Sequence, residues 1–224
     1  MAVGVASKNK PDHELHDIVK KAENDMYSQK LNDSKSFKKT ALDILLKALA
    51  EKCYETEVHI SRMQETSKLL GRQAGISRID EDRLALLITL HDIGKINMPE
   101  TLLTKKDPLT EEEWEIIKKH PEIGYRIARS SEMFAHVAEE ILSHHENWDG
   151  SGYPRGLKEE EIPLLSRITA IVDAVEVMSS GRPYCDKKTE EEIMAELRSC
   201  AGTQFDPNLV DLFLASFKKA SSYL

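Results

Sequence analysis

The chain has 224 residues, 40% hydrophobic and 31% charged, which suffices for one good-sized core with or without an appendage and excludes disorder as its main state. Lys and Arg total 31 against 39 Asp and Glu, a formal charge of −8 with no basic stripe, so a grip on long nucleic acid is excluded while a small anionic ligand is not. Cys53, Cys185 and Cys200 lack the spacing of a disulfide framework or zinc ribbon, no apolar run reaches the roughly 18 residues of a membrane span, and the first residues are not a signal peptide. These features point to a cytoplasmic protein without membrane contact.

In chain order the pattern is helical. Residues 13–30 carry Leu15, Ile18, Val19, Ala22, Met26 and Tyr27 at helical spacing, and Asn32-Asp33-Ser34 ends the run. A second helix is expected at about 35–53 and a third at 55–74, ending near Gly75. Ser77 and Asp80 form a capping-box pattern that opens a helix with Leu84, Leu87, Ile88 and Leu90, stopping at Gly94. Thr110 and Glu113 form another, ahead of Trp114, Ile116 and Ile117; Pro121 then kinks or restarts the helix. Residues 133–145 read as helix and 146–162 as a long irregular stretch rich in Gly and Pro. Helices return at about 163–179, 189–200 and 207–221, the last with Asp206 as cap and Pro207 in its first turn. Residues 2–8 and a short pair near 152–157 are the only strand candidates. The class is all-α.

Eight histidines stand out. A helical histidine is more often exposed or hydrogen-bonded than metal-bound, and His13, His16 and His136 are read that way. His59, His91, His120, His144 and His145 differ, because they sit near acids or where helices end. Asp173 interrupts an apolar run. Adjacent helical residues point about 100° apart, so His91-Asp92 and His144-His145 suit two neighbouring ions better than one. Five imidazoles with Asp92 and Asp173 form a mixed N/O set that suits iron, manganese, zinc or nickel. Two such ions about 3.5–4 Å apart would hold a bridging hydroxide and clamp a phosphoryl group.

The ordered motifs His91-Asp92-Ile93-Gly94-Lys95, His120-Pro121, His144-His145 and Gly152-Tyr153-Pro154 resemble the HD-GYP signature, and the likeness runs from about residue 54 to 215. The resemblance implies an HD-type helical bundle of about seven or more helices with a GYP loop and an N-terminal helical extension. It implies a phosphodiesterase that hydrolyses cyclic di-GMP to pGpG and onward to GMP. The metal ligands it implies are Glu55, His59, His91, Asp92, His120, His144, His145 and Asp173, with Asp92 as bridge and Glu55 as the extra carboxylate of a trinuclear site. Glu55 and His59, at i and i+4, share a helix face, although a solvated helix acid is the blander reading of Glu55. Two or three divalent transition-metal ions are implied, iron favoured and manganese next, with zinc or nickel as alternatives. Lys95 and Asp92 would be catalytic, and Lys95, Gly152, Tyr153, Pro154 and Arg182 would bind substrate, the Tyr153 ring offering a face to guanine.

Two departures are visible. Glu176-Val177-Met178 stands where relatives commonly read Asp-Ala-Leu, and Cys185 where many carry Arg or Lys after Arg-Pro-Tyr. Residues 2–30 resemble the end of a GGDEF domain, so 1–34 are expected to be its remnant and linker helix and 35–224 the HD-GYP domain. Partners implied are a cyclic dinucleotide, upstream GGDEF or sensor domains of a longer parent, and a second copy in a homodimer. The alternatives are a cyclic-dinucleotide-binding or GGDEF-interaction module with weak catalysis, which the full ligand set disfavours, and an enzyme preferring cyclic GMP-AMP. Cys185→Arg is expected to lower KM several-fold to tens-fold with little change in kcat, since a guanidinium adds about 1–2 kcal/mol on a phosphate that does not react. Equal KM values for wild type, this variant and a Lys187→Ala/Lys188→Ala pair would remove the region from the substrate site.

Overall fold

The computed structural model describes residues 47, 57–105, 107–181 and 187–221, which are helical wherever they are regular. The chain divides into two units, Met1–Lys47 and Ala48–Leu224; of the first, only Lys47 is described, as an exposed helical residue. Apart from Lys47, the helices expected at 13–30 and 35–53 therefore lie outside the described residues, as do strand candidate 2–8 and residues Cys53, Glu55, Arg182 and Cys185.

The second unit contains α1 (Glu57–Gln73), α2 (Arg78–Leu90), α3 (Glu100–Leu103), α4 (Glu111–Ile117), α5 (His120–Arg129), α6 (Ala138–Ser143), α7 (Leu164–Ser180), α8 (Glu190–Ser199) and α9 (Pro207–Ser221), with 3-10 turns at Ile93–Asn97, Ala135–Val137 and Glu159–Glu161. Helix α1 packs on both α2 and α7. Its inner face carries Met63 and Leu70, both fully buried, against Leu87 and Ile88 of α2 and Ile168, Ile171 and Val172 of α7. Ile168, Ile171, Val172 and Val175 follow the i, i+3, i+4, i+7 rule, so one stripe of α7 faces the core. Each such side chain contributes about 1.5–3 kcal/mol of burial. Helices α8 and α9 close one side through Ile193, Leu197, Val210 and Phe213.

Local chemistry sets most boundaries. Thr110 makes the full capping box: its hydroxyl accepts from Glu113 N at 3.2 Å and Glu113 accepts from Thr110 N at 2.8 Å. At Ser77 only half of the expected box forms. The Ser77 hydroxyl accepts from Asp80 N at 3.1 Å and donates to the Asp80 carboxylate at 2.7 Å, which turns that carboxylate away from the Ser77 N–H. Pro121 restarts the chain as expected, lying in the first turn of α5 where its missing N–H costs nothing. Asp206 caps α9 by accepting from Asn208 N at 2.9 Å.

Three expectations need correction. Helix α2 ends at Leu90 rather than at Gly94, and a 3-10 turn follows. The 133–145 helix is split into a 3-10 turn and the short α6. Residues 152–155 bend and 156–157 are irregular, and the described residues contain no strand beyond an isolated Ala201–Phe205 bridge.

The 3-10 turn after α2 is forced by a close approach. A Cβ on Gly94 would stand 2.0 Å from His120 O and 2.7 Å from Gly124 N, both rigid backbone atoms. The backbone here must touch α5 directly, which only glycine permits. Gly94→Ala is therefore expected to cost about 3 kcal/mol in a urea titration and to lower metal content, because the overpacked turn carries Asp92. An unchanged midpoint would show that α5 can retreat freely.

Candidate metal centre

One local device occurs three times. His91 follows α2, His120 follows α4 as the first residue of α5, and His144 follows α6. In each case the ring Nδ1 lies on the carbonyl oxygen three residues earlier: Ile88 at 2.8 Å, Ile117 at 2.8 Å and Ile141 at 2.6 Å. Those carbonyls belong to helix C-terminal turns, which lack enough intrahelical partners. A carbonyl only accepts, so Nδ1 must donate, and in the neutral ring Nε2 is left as a lone pair.

The lone pairs converge. His120 Nε2 and His144 Nε2 are 3.2 Å apart, and His120 Nε2 is 3.1 Å from Asp92 Oδ1. Asp92 Oδ2 is 3.5 Å from His91 Nε2, and neither that nitrogen nor Asp92 Oδ1 has an aligned hydrogen-bond partner. One donor atom each from Asp92, His120, His144 and His145 falls within 4.8 Å of the others. The His91 ring stands edge-on to His144, with centroids 5.4 Å apart. Lone pairs held face to face in a buried site repel unless a cation lies between them. Nitrogens bound side by side on a transition metal at about 2.0–2.1 Å would be spaced about 3.0–3.4 Å, so the donor set fits a divalent metal.

The electrostatics agree. Burial pushes the Asp92 carboxyl up, but Lys95, His91 and His120 outweigh it and hold the group well below the carboxylate range. Lys95 ion-pairs with Asp92 from one turn further along the chain. Burial, then the neighbouring imidazoles, push His144 and His145 well below the ordinary histidine value. The site thus holds an anionic carboxylate beside His144 and His145, whose neutral rings are the forms that ligate metals.

Other expected residues, among those described, make contacts of their own. His59 is buried with Nδ1 3.4 Å from Glu176 Oε1. Asp173 lies one turn before Glu176 on α7, and its charge, with that of Asp92, helps raise the Tyr153 hydroxyl pKa, for which burial is the main cause. Tyr153 stacks on His145 at 5.0 Å and 29°, so one ring face is occupied by the cluster. Gly152 is pressed onto the preceding turn, where a Cβ would meet Asn147 N at 2.2 Å. His136 is exposed.

Two acids carry more than their sequence context suggests. Glu176 orients His59 and is itself held by Arg62 and Ser180. The Glu at the Asp-Ala-Leu departure is the only available signal for it. Glu146 is buried and accepts from Arg155 N at 2.7 Å and Leu157 N at 3.0 Å, so it fastens the loop that bears Tyr153 to His145. Within a polar loop sequence nothing marks it.

The family profile of the HD domain matches residues 43–209. The chain belongs to the HD domain family. Relatives of this HD domain include a cyclic di-GMP phosphodiesterase of Thermotoga maritima, 43% identical over 71% of this chain and 44% of that protein. A 3'3'-cGAMP-specific phosphodiesterase of Vibrio cholerae is 38% identical over 76% of this chain and 33% of that protein. The chain thus spans less than half of either relative. Among solved structures, a cyclic GMP-AMP specific phosphodiesterase of V. cholerae superposes with a TM-score of 0.59 at 21% identity over 80% of this chain and 48% of that one. The phosphodiesterase PgpH HD domain of L. monocytogenes gives 0.54 at 20% identity over 79% of this chain and 98% of that one. Both likenesses show the helical HD fold. No helix among the described residues is long and apolar enough to cross a membrane.

The depressed histidines fix the sign of a pH effect. With folded pKa values below the unfolded value of about 6.5, His144 and His145 bind fewer protons folded than unfolded, so stability is lost as pH falls below that value. Metal-stripped HD domain should melt at progressively lower temperature between pH 7.5 and 5, losing at most about 1.4 kcal/mol per pH unit for each ring. A flat profile in a thermal melt series would mean that both rings are hydrated.

Proposed function

We propose that this HD domain is a metal-dependent phosphodiesterase that hydrolyses cyclic di-GMP to pGpG and onward to GMP. The observation that carries the reading is the convergence of donor atoms from Asp92, His120, His144 and His145 in one buried group. Two or three divalent transition metals, iron first and manganese next, would supply Lewis acidity and a hydroxide at neutral pH.

Asp92 lies between His91 and His120 and would be the carboxylate that the metals share. His59, oriented by Glu176, and Asp173 complete the set from α1 and α7, with Glu55 as the further carboxylate. Lys95 stands beside the cluster with its side chain about one-fifth exposed (21%), suited to a phosphate oxygen. Burial keeps the Tyr153 hydroxyl protonated, so it can donate to the substrate. Gly152 and Pro154 shape the loop around it, and Arg182 takes a phosphate. Residues 35–224 form the catalytic domain of a cytoplasmic protein, and 1–34 link it to GGDEF or sensor domains. The Thermotoga relative supports cyclic di-GMP. The cGAMP-specific Vibrio relative favours cyclic GMP-AMP as a second reading.

Anaerobic loading with iron or manganese, followed by product chromatography on both cyclic dinucleotides, tests this. Turnover of cyclic di-GMP to pGpG is expected; absence of product from both substrates with metal bound would leave a binding module. Asp92→Ala should lose bound metal and at least 100-fold in activity, on the order of a lost metal-site group, while exposed His136→Ala should keep both. Full metal content in Asp92→Ala would remove it as the bridge.

A further inference from the structure

We propose that Trp114 is a specificity residue of this site, an indole platform on which a purine base of the substrate stacks while its phosphate lies at the metal cluster. The inference rests on the phosphodiesterase reading above. Helix α4 has no buried residue, and Trp114 is 43% exposed, although an indole normally buries a large area in a core. The helix is held without it: the Thr110–Glu113 capping box closes its start, and Lys105 reaches Glu113 at 2.6 Å. What Trp114 does touch is Tyr153, edge-on, with ring centroids 6.5 Å apart at 76°.

Tyr153 in turn stacks on His145, whose ring lies 4.8 Å from His120. A continuous series of aromatic rings thus runs from the cluster to the surface and ends in a half-open indole. One face of Tyr153 is already taken by His145, so Trp114 is the better-exposed flat surface at this mouth. A nucleotide's base stands one sugar away from its phosphate, and the indole stands two ring contacts away from the cluster's histidine. Stacking is indifferent to hydrogen-bond pattern, so the platform would select for a purine rather than for guanine over adenine.

The test separates base binding from support of the cluster. Trp114→Ala should raise KM for cyclic di-GMP about tenfold with kcat within about twofold, Trp114→Phe should recover most of the loss, and the inhibition constant of inorganic phosphate, which has no base, should stay unchanged. In manganese-loaded protein, cyclic di-GMP should quench tryptophan fluorescence within the mixing time in the wild type and not in Trp114→Phe, where Trp148 remains under Arg167 as an internal reference. An unchanged KM in Trp114→Ala would overturn the inference, and so would a parallel rise in the phosphate constant, which would mean that Trp114 only props Tyr153. If the wild type turns over no cyclic dinucleotide, the phosphodiesterase reading fails by itself. Quenching then decides Trp114: present in wild type and absent in Trp114→Phe it keeps the base contact, absent in both it removes it.

Discussion

Three imidazoles are pinned through Nδ1 to the last free carbonyls of three helices, and this hydrogen bond, repeated at Ile88, Ile117 and Ile141, orders the rest of the site. It satisfies helix-end acceptors that would otherwise be buried without partners, and it decides the tautomer of each ring at the same time. Because the donor must be Nδ1, each Nε2 is aimed away from its own helix and towards the space where the three helix ends meet. The cluster is therefore a property of where helices stop, and the short α4 and α6, with the 3-10 turns after α2 and before α6, are what bring three stops together.

Packing reinforces that arrangement. Gly94 lets the turn bearing Asp92 and Lys95 rest directly on the backbone of His120 and Gly124, so the carboxylate and two of the rings are placed by backbone contact rather than by flexible side chains. Glu146 fastens the loop after His145, and Tyr153 stacks back onto that ring. On the other side, α7 brings Glu176 to His59, where Arg62 and Ser180 hold the acid. A site built this way is costly to charge. Burial disfavours protonated His144 and His145, which keeps them in the form that binds a cation.

The chemistry-bearing residues were legible in the sequence because their types are unusual for their positions. Histidines at helix ends, a carboxylate in an apolar run and an ordered series of motifs single out His59, His91, Asp92, His120, His144, His145 and Asp173 without coordinates. Of the four whose donor atoms converge, all were in that set. Glu176 and Glu146 were not, since an acid that orients a ligand or ties down a loop looks like any other acid until its partners are known. Trp114 belongs with them: at helical spacing it reads as a core residue, and only the exposed position of α4 shows otherwise.

The sequence by itself determined the all-α class, the helix starts with their caps at Thr110 and Asp206, and the residue types of the site, because capping and amphipathic periodicity act over one or two turns of chain. The tertiary structure alone decided where α2 stops, that the 133–145 helix is split, that one face of Tyr153 is spent on His145, and which acid holds His59. Each of these depends on a contact between segments distant in sequence, Gly94 on His120, Tyr153 on His145, His59 on Glu176, and no local periodicity encodes the distance between two helices.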